Sequence, residues 1–359
     1  MHTISRKTQK SPGVRRAAAV LAPGAACVLL IWLVVSPAGG IAGVRTGLSL
    51  CGEVVIPSLF PFLALSVFVI RTGLAQRFGR LLERPMRALF RLPGSAAAAL
   101  ALGIVGGYPV GGKACADLCR KKALSQPEAE RLMAFCVNSS PSFIIGAVGA
   151  GLLHSSAAGV LLYAAHLGAS LLTGLLAARR YPRPARGGRS AAVTGAPVPQ
   201  ALVESVNGAV ESMLAIAGFV IFFSGLSGLF FTGGGSGMAA TLFKGLMEVT
   251  NGCAAAAAGG AAAMPLIAAM LSFSGLSVIC QVMAVTAPVG LSVRRYLLAR
   301  LPHMVFSVLL TLLLMRLFPM AVPAFAGNAP AVVAGHHTVQ GSLALLALCA
   351  LMMLSRLSV

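Results

Sequence analysis

Acidic side chains are what this chain has least of: eight Asp and Glu stand among 359 residues, against 28 Lys and Arg. Charge of either sign reaches 10% of residues, where a soluble domain carries about a quarter. That scarcity excludes an ordinary water-soluble domain. With 57% hydrophobic residues and a mean hydropathy of +0.89, the chain reads as a polytopic membrane protein whose first partner is the lipid bilayer. The formal net charge of +20 would point to nucleic acid in a soluble protein. Here the positive charges fall in short patches between apolar runs, without interleaved aromatics. That placement fits membrane orientation, and no nucleic-acid partner is expected.

The residue sets that run enzymes are missing as well. GGYPVGGK at 106–113 lacks the spacing of a phosphate-binding loop, and Ala114 follows its lysine. There is no Ser/His/Asp order, no HExxH and no paired CxxC. His154, His166 and His303 stand singly in or beside apolar segments, where a packed imidazole is the ordinary reading, and His336-His337 has no third ligand nearby. Cys115 and Cys119 share a helix face without further ligands. Most of the eight cysteines lie in apolar or small-residue segments, as buried thiols do. No enzyme, catalytic residue, metal site or cofactor is expected.

What is present is a series of apolar segments: 17–36, 47–70, 96–119, 132–153, 156–178, 206–231, 238–259, 262–286, 296–318 and 340–355. Runs of about 20 apolar residues cross a bilayer. Segment 17–36, behind a basic terminus, reads as a retained signal-anchor or a cleaved signal peptide. Several segments are interrupted. Segment 47–70 carries Glu53 and a Pro57–Pro61 break, and 96–119 carries Gly106-Gly107-Tyr108-Pro109-Val110-Gly111-Gly112-Lys113. Asn138-Ser139-Ser140-Pro141-Ser142 interrupts 132–153, and Phe273-Ser274-Gly275-Leu276-Ser277 interrupts 262–286. Glycine and proline at that density stop a helix. In lipid, an interrupted helix persists only where protein or a water-filled cavity satisfies its freed backbone groups. The breaks are therefore expected to form a polar site at membrane depth. The alternative for any single break is a kinked helix packed through small residues.

Five basic patches, 1–16, 71–91, 120–131, 179–189 and 294–300, hold 23 of the 28 Lys and Arg. If all are cytoplasmic, 96–119 has both flanks on one side and must be a re-entrant hairpin turning near 108–112. By the same reasoning, 238–259 is a hairpin from the opposite face, turning near 248–252. The expected fold is all-α, with about eight transmembrane spans, two opposed re-entrant hairpins and two broken helices in an inverted repeat. GEVVIPSLFPFLALS (52–66) aligns without gaps on VESMLAIAGFVIFFS (210–224), setting Glu53 over Glu211. Expected boundaries are a basic terminus and first helix (1–46), a first repeat (47–178), a cytoplasmic linker (179–205), a second repeat (206–318), and a loop with a last helix (319–359). Such repeats with paired discontinuous helices point to secondary transport of a small molecule held where the repeats meet.

The candidate substrate-binding residues are Tyr108, Gly111, Gly112 and Lys113 at the first hairpin, and Asn138, Ser139, Ser140 and Ser142 at the first break. Glu248, Thr250 and Asn251 at the second hairpin, with Ser274 and Ser277 at the second break, complete the set. Lys113 offers an anion positive charge beside backbone N–H groups, or snorkels to the surface. Glu53 and Glu211 are interfacial carboxylates or site groups. Asp117 is expected to pair with Lys113 or Lys121. Glu248 suits coupling to an ion, of unknown identity, better than contact with an anionic cargo.

At PSLFPF (57–62), GGYPVGGK (106–113), NSSPSFIIG (138–146), LMEVTNGC (246–253) and FSGLSV (273–278) the chain resembles the YlbJ/SpoVV sporulation integral membrane proteins. These carry nucleoside-recognition "Gate" domains, and the resemblance covers roughly 45–300. Gate proteins are similar to concentrative nucleoside transporters, in which two opposed hairpins and two unwound helices surround one substrate. The resemblance implies passage of dipicolinic acid across the outer forespore membrane during sporulation. A transporter for nucleosides or another polar metabolite, or a non-transporting sporulation scaffold, is the alternative.

Overall fold

The computed structural model describes residues 24, 27–73, 82–179, 195–231 and 237–319, and among these the chain is all-α, without strands. The first basic patch, most of the linker and the expected last span lie outside the described residues, as do His336 and His337.

Pro37–Leu50 (α1) runs through a π turn, Cys51–Val55, into Ile56–Arg71 (α2). The interruption expected at Pro57–Pro61 is absent, because both prolines sit inside α2. Pro57 cannot donate an N–H, and the helix widens to a π turn just before it. Ser58 Oγ donates to Val54 O at 2.6 Å there. After a short helix, Glu83–Ala88 (α3), come Ala96–Gly106 (α4) and Tyr108–Arg120 (α5). They form a helical hairpin whose whole turn is Gly107, at φ +86°. Glycine tolerates that angle, and Pro109 fits the first turn of the following helix. The turn thus precedes the expected 108–112 stretch. Gly111, Gly112 and Lys113 lie within α5.

Gln126–Cys136 (α6) opens with a capping box between Ser125 and Glu128. It ends at the interruption over 137–141, and the chain resumes as a π-helical segment, Ser142–Leu152. Ser156–Ala178 (α7) and Val198–Phe230 (α8) are long and apolar. The second hairpin is Met238–Met247 (α9) and Val249–Ala257 (α10), joined by Glu248 alone. A second broken helix follows: Met264–Phe273 (α11), Ser274 in the left-handed conformation at φ +73°, and Gly275–Thr286 (α12). Val293–Leu317 (α13) closes the described chain.

Five stretches among the described residues are long and apolar enough to cross a membrane: Pro37–Val69, Ser156–Ala178, Val198–Phe230, Gly260–Val289 and Val293–Leu317. α8 lies along α1 and α2, and α13 packs on α7 and α11. The first hairpin packs on α6 and α12, while α10 packs on α11 and the π segment. Glycine sets the closest approaches. A Cβ on Gly103 would stand 1.8 Å from Cys136 O, and one on Gly111 2.4 Å from the same oxygen, so the end of α6 is wedged between the hairpin legs. In the second hairpin, a Cβ on Gly252 would stand 2.2 Å from Gly245 Cα.

Two arginines assigned to cytoplasmic patches by sequence are buried instead. Arg131 donates to Arg91 O at 2.8 Å, and Arg300 is fully enclosed. Asp117 pairs with Arg120 at 2.8 Å rather than with Lys113 or Lys121, because the i,i+3 spacing puts the guanidinium within its reach.

Candidate functional site

Both hairpin tips and the first break meet at one cavity of about 60 Å³. Gly106–Pro109 forms one wall, and Glu248, Val249 and Thr250 form another. Ser139 and Ser140 line it from the break, with Phe143 behind them. Leu59 and Leu63 of α2, Ile216 and Val220 of α8, and Val278 and Gln281 of α12 supply the rest. α5, the π segment and α10 all begin at this cavity. Their first turns bring the positive ends of three helix dipoles to its wall.

Glu248 is buried at the second tip and is the one acidic residue in the lining. Its carboxylate caps α10: Oε2 accepts from Asn251 N at 2.8 Å, and Oε1 accepts from Thr250 Oγ1 at 3.0 Å. Asn251 is turned away from the cavity and donates through Nδ2 to Ser224 Oγ of α8 at 2.7 Å. Thus Thr250 lines the site, whereas Asn251 ties the tip to α8.

At the first break the polar side chains divide in the same way. Asn138 Nδ2 donates to Phe135 O (2.8 Å) and Ser170 Oγ (3.0 Å), behind the lining. Ser139 lines the cavity, and its backbone N–H donates to His166 Nε2 at 3.2 Å. Ser139 Oγ is close enough to the Tyr108 hydroxyl to interact electrostatically, but no hydrogen bond of proper geometry joins them, and it has no other partner among the described residues. Ser140 and Ser142 share a 2.8 Å hydrogen bond, and Ser140 Oγ also accepts from Phe143 N at 3.2 Å. These bonds cap the start of the π segment.

The remaining candidates do not reach the cavity. Gly111 and Gly112 pack against Cys136 O and α12. Lys113 is exposed and outside the lining. Ser274 meets Tyr296 OH at 3.2 Å, and Ser277 Oγ accepts from Gln281 Nε2 at 3.4 Å. Tyr108 does line the cavity, and its hydroxyl donates to Leu271 O, tying the first tip to the second broken helix. Glu53 and Glu211 are exposed, and Ser49 Oγ donates to Glu53 Oε1 at 2.9 Å.

Sequence reasoning missed the groups behind the lining. His166 and His303 face each other with ring centroids 4.6 Å apart. Because Ser139 N–H donates to His166 Nε2, the ring proton belongs on Nδ1, which lies 3.5 Å from Ser272 Oγ. Arg300 donates to Ala134 O at 2.7 Å and Val137 O at 3.0 Å, and its guanidinium sits 4.7 Å from the Tyr296 ring centroid. A signal for them does exist: Tyr296, Arg300, His303, Ser307 and Thr311 recur at helical spacing in an otherwise apolar helix. Their proximity to Arg294 and Arg295 disguised that stripe as a surface charge patch.

The signature of the Gate family, described as nucleoside recognition, matches residues 53–156, which hold the first hairpin and the first break. The sporulation integral membrane protein YlbJ of Bacillus subtilis (strain 168) is 32% identical over 317 residues, covering 76% of each chain. The chain belongs to the YlbJ family. It is therefore grouped with integral membrane proteins of sporulation, in keeping with its five apolar helices of spanning length. No solved structure matches it. The Gate match ends before the second hairpin, so Glu248, Thr250, Gln281 and Arg300 lie outside the part of this YlbJ-family chain that the nucleoside-recognition signature covers.

Proposed function

We propose that the chain is a secondary-type membrane carrier, not an enzyme, and that its cargo is held in the cavity between the hairpin tips. The convergence of Gly107, Ser139 and Glu248 on one cavity carries this reading. Breaks of this kind in apolar helices are tolerated where they line a site, and discontinuous helices mark the midplane sites of secondary transporters. The paired hairpins and broken helices support an inverted repeat of 47–178 and 206–318, flanked by 1–46 and 319–359 and joined by the cytoplasmic linker 179–205.

For the cargo we propose dipicolinic acid, moved across the outer forespore membrane. Membership of a sporulation membrane family supports it, as do the helix N-termini at the cavity, which favour carboxylates. A nucleoside or another neutral polar metabolite is the second reading. It is favoured by the Gate signature and by Glu248, which accepts hydroxyl donors and repels anions. The test is flux into proteoliposomes carrying the full chain, with dipicolinate and a nucleoside panel offered separately. Dipicolinate uptake without nucleoside uptake is expected. The reverse pattern transfers the site to the second reading, and no uptake of either removes the carrier assignment in favour of a sporulation scaffold.

A further inference from the structure

α13 is an inside-out helix. Tyr296, Arg300, His303, Ser307 and Thr311 are buried, while Leu301, Leu309 and Leu313 face outward. Arg300 has 0% exposure, and no carboxylate lies within ion-pair reach of it among the described residues. Its charge is met by backbone. Besides the carbonyls of Ala134 and Val137 at the end of α6, it approaches Ser272 O at the end of α11 at 3.5 Å. One guanidinium therefore caps the C-terminal ends of both broken helices. The converse contact lies a turn or two away. Glu130 of α6 accepts from Ser292 N at 2.8 Å and pairs with Arg295 at 2.7 Å, at the N-terminus of α13. α6 and α13 each cap the other with the sign their dipoles favour.

This arrangement changes the field at the cavity. Four helical segments start at the hairpin tips and breaks (α5, the π segment, α10 and α12), and four end there (α4, α6, α9 and α11). Each end carries about half a unit charge, so positive and negative ends nearly cancel. Arg300 offsets the two negative ends of α6 and α11. Glu248 offsets the positive end of α10. Without Arg300 the tally would be negative by about one unit, from Glu248; with it the charges balance. The starts of α5 and of the π segment lie on the lining beside Ser139 Oγ, a buried hydroxyl with no hydrogen-bond partner among the described residues.

We propose that Arg300 is the positioning residue that gives the cavity its charge preference: by occupying the carbonyl ends of both broken helices it makes the site select a carboxylate-bearing cargo over a neutral one of the same shape. The inference rests on the cavity being the cargo site. Arg300 touches no cargo itself and acts through the helix ends it caps.

The test uses the full-length protein and two probes of one shape, pyridine-2,6-dicarboxylate and its neutral diamide, with ligand-dependent thermal stabilisation giving apparent affinities for wild type, Arg300→Lys and Arg300→Gln. Wild type is expected to prefer the dicarboxylate by about tenfold or more, the size of one charge-assisted interaction. Arg300→Lys keeps part of that preference. Arg300→Gln brings the two probes to within about twofold of each other while its affinity for the diamide is unchanged; a purely structural defect would weaken both alike. An unchanged ratio in Arg300→Gln overturns the proposal. So does a wild type that binds the two probes equally, a result readable even if Arg300→Gln does not fold. Binding of nucleosides but neither pyridine also overturns it while leaving the cavity as a cargo site, whereas a wild type that binds nothing removes the cavity reading itself.

Discussion

The two hairpins reach the same cavity by different chemistry. The first turns on Gly107, which has no side chain and sits at φ +86°, where other residues are strained. The second turns on Glu248, whose backbone is extended at φ −149° and whose carboxylate caps the helix it opens. One tip is made by backbone freedom, the other by a side chain that supplies a missing hydrogen-bond acceptor. They differ in support as well. The legs of the first close on a third element, the end of α6 at Cys136, whereas Gly252 of the second meets Gly245 of its own partner leg and Met270 of α11. The comparison teaches that a tip without a side chain needs an outside clamp, and a self-capping tip depends on it less.

The sharpest way to break that comparison is at the glycine contacts. Gly103→Val is expected to remove folded protein, because its first carbon would stand 1.8 Å from a backbone oxygen that belongs to another broken helix. The cost is about 3 kcal/mol or more, the upper range for overpacking. Gly252→Val should cost less, since one hairpin leg can shift outward. Yield of monodisperse protein in detergent ranks the two, and equal losses would show that the second hairpin is clamped as tightly as the first.

Next comes the capping carboxylate. Glu248→Ala is expected to lower stability by about 1–2 kcal/mol through loss of the N-cap, while Glu248→Gln retains an acceptor oxygen and most of that stability. Thermal melts of the three proteins decide it, and an Ala variant as stable as wild type would mean the tip is held by its neighbours alone. If Glu248 also works in the transport cycle, Gln loses flux while keeping stability, which separates the two roles.

Gly107→Ala is expected to cost about 1–3 kcal/mol from the backbone alone, because φ +86° with ψ −174° is a region essentially reserved for glycine, while a Cβ there meets Ser140 Cβ at an ordinary 3.4 Å. A loss far above that would mean the tip moves through conformations only glycine reaches, and flux measured beside stability tells the two apart. The smallest effect is expected for Lys113→Ala. This exposed residue lies outside the cavity lining, so stability should change by no more than about 0.5 kcal/mol. A strong fall in dipicolinate flux at unchanged protein level would bring Lys113 back into the transport path.

The helix interruptions were readable before any coordinates because each depends on its own few residues. Gly-Tyr-Pro, Asn-Ser-Ser-Pro, Glu-Val-Thr-Asn and Ser-Gly all disfavour a continuous helix, and the chain does interrupt at Gly107, 137–141, Glu248 and Ser274. Their exact form was less readable. The Pro57–Pro61 stretch stayed α-helical behind a π turn at Cys51–Val55, since a helix can widen by one residue instead of breaking when a hydroxyl such as that of Ser58 takes up a carbonyl. Ser139 and Thr250 face the cavity, whereas Asn138 and Asn251 face Ser170 and Ser224. That division depends on rotation about a helix end, which a list of polar residues does not contain.

The sequence by itself determined the all-α membrane character, the positions of four of the five expected breaks and the pool of polar groups near them, because backbone chemistry and hydropathy act over a few neighbouring residues. Only the tertiary structure decided that two tips and one break share a cavity, and that Arg300 points inward. The physical reason is distance along the chain: the carbonyls that make burial of Arg300 tolerable, at Ala134 and Val137, stand 166 and 163 residues away. A buried guanidinium without such partners is too costly to keep. No local pattern around residue 300 records that those partners will arrive.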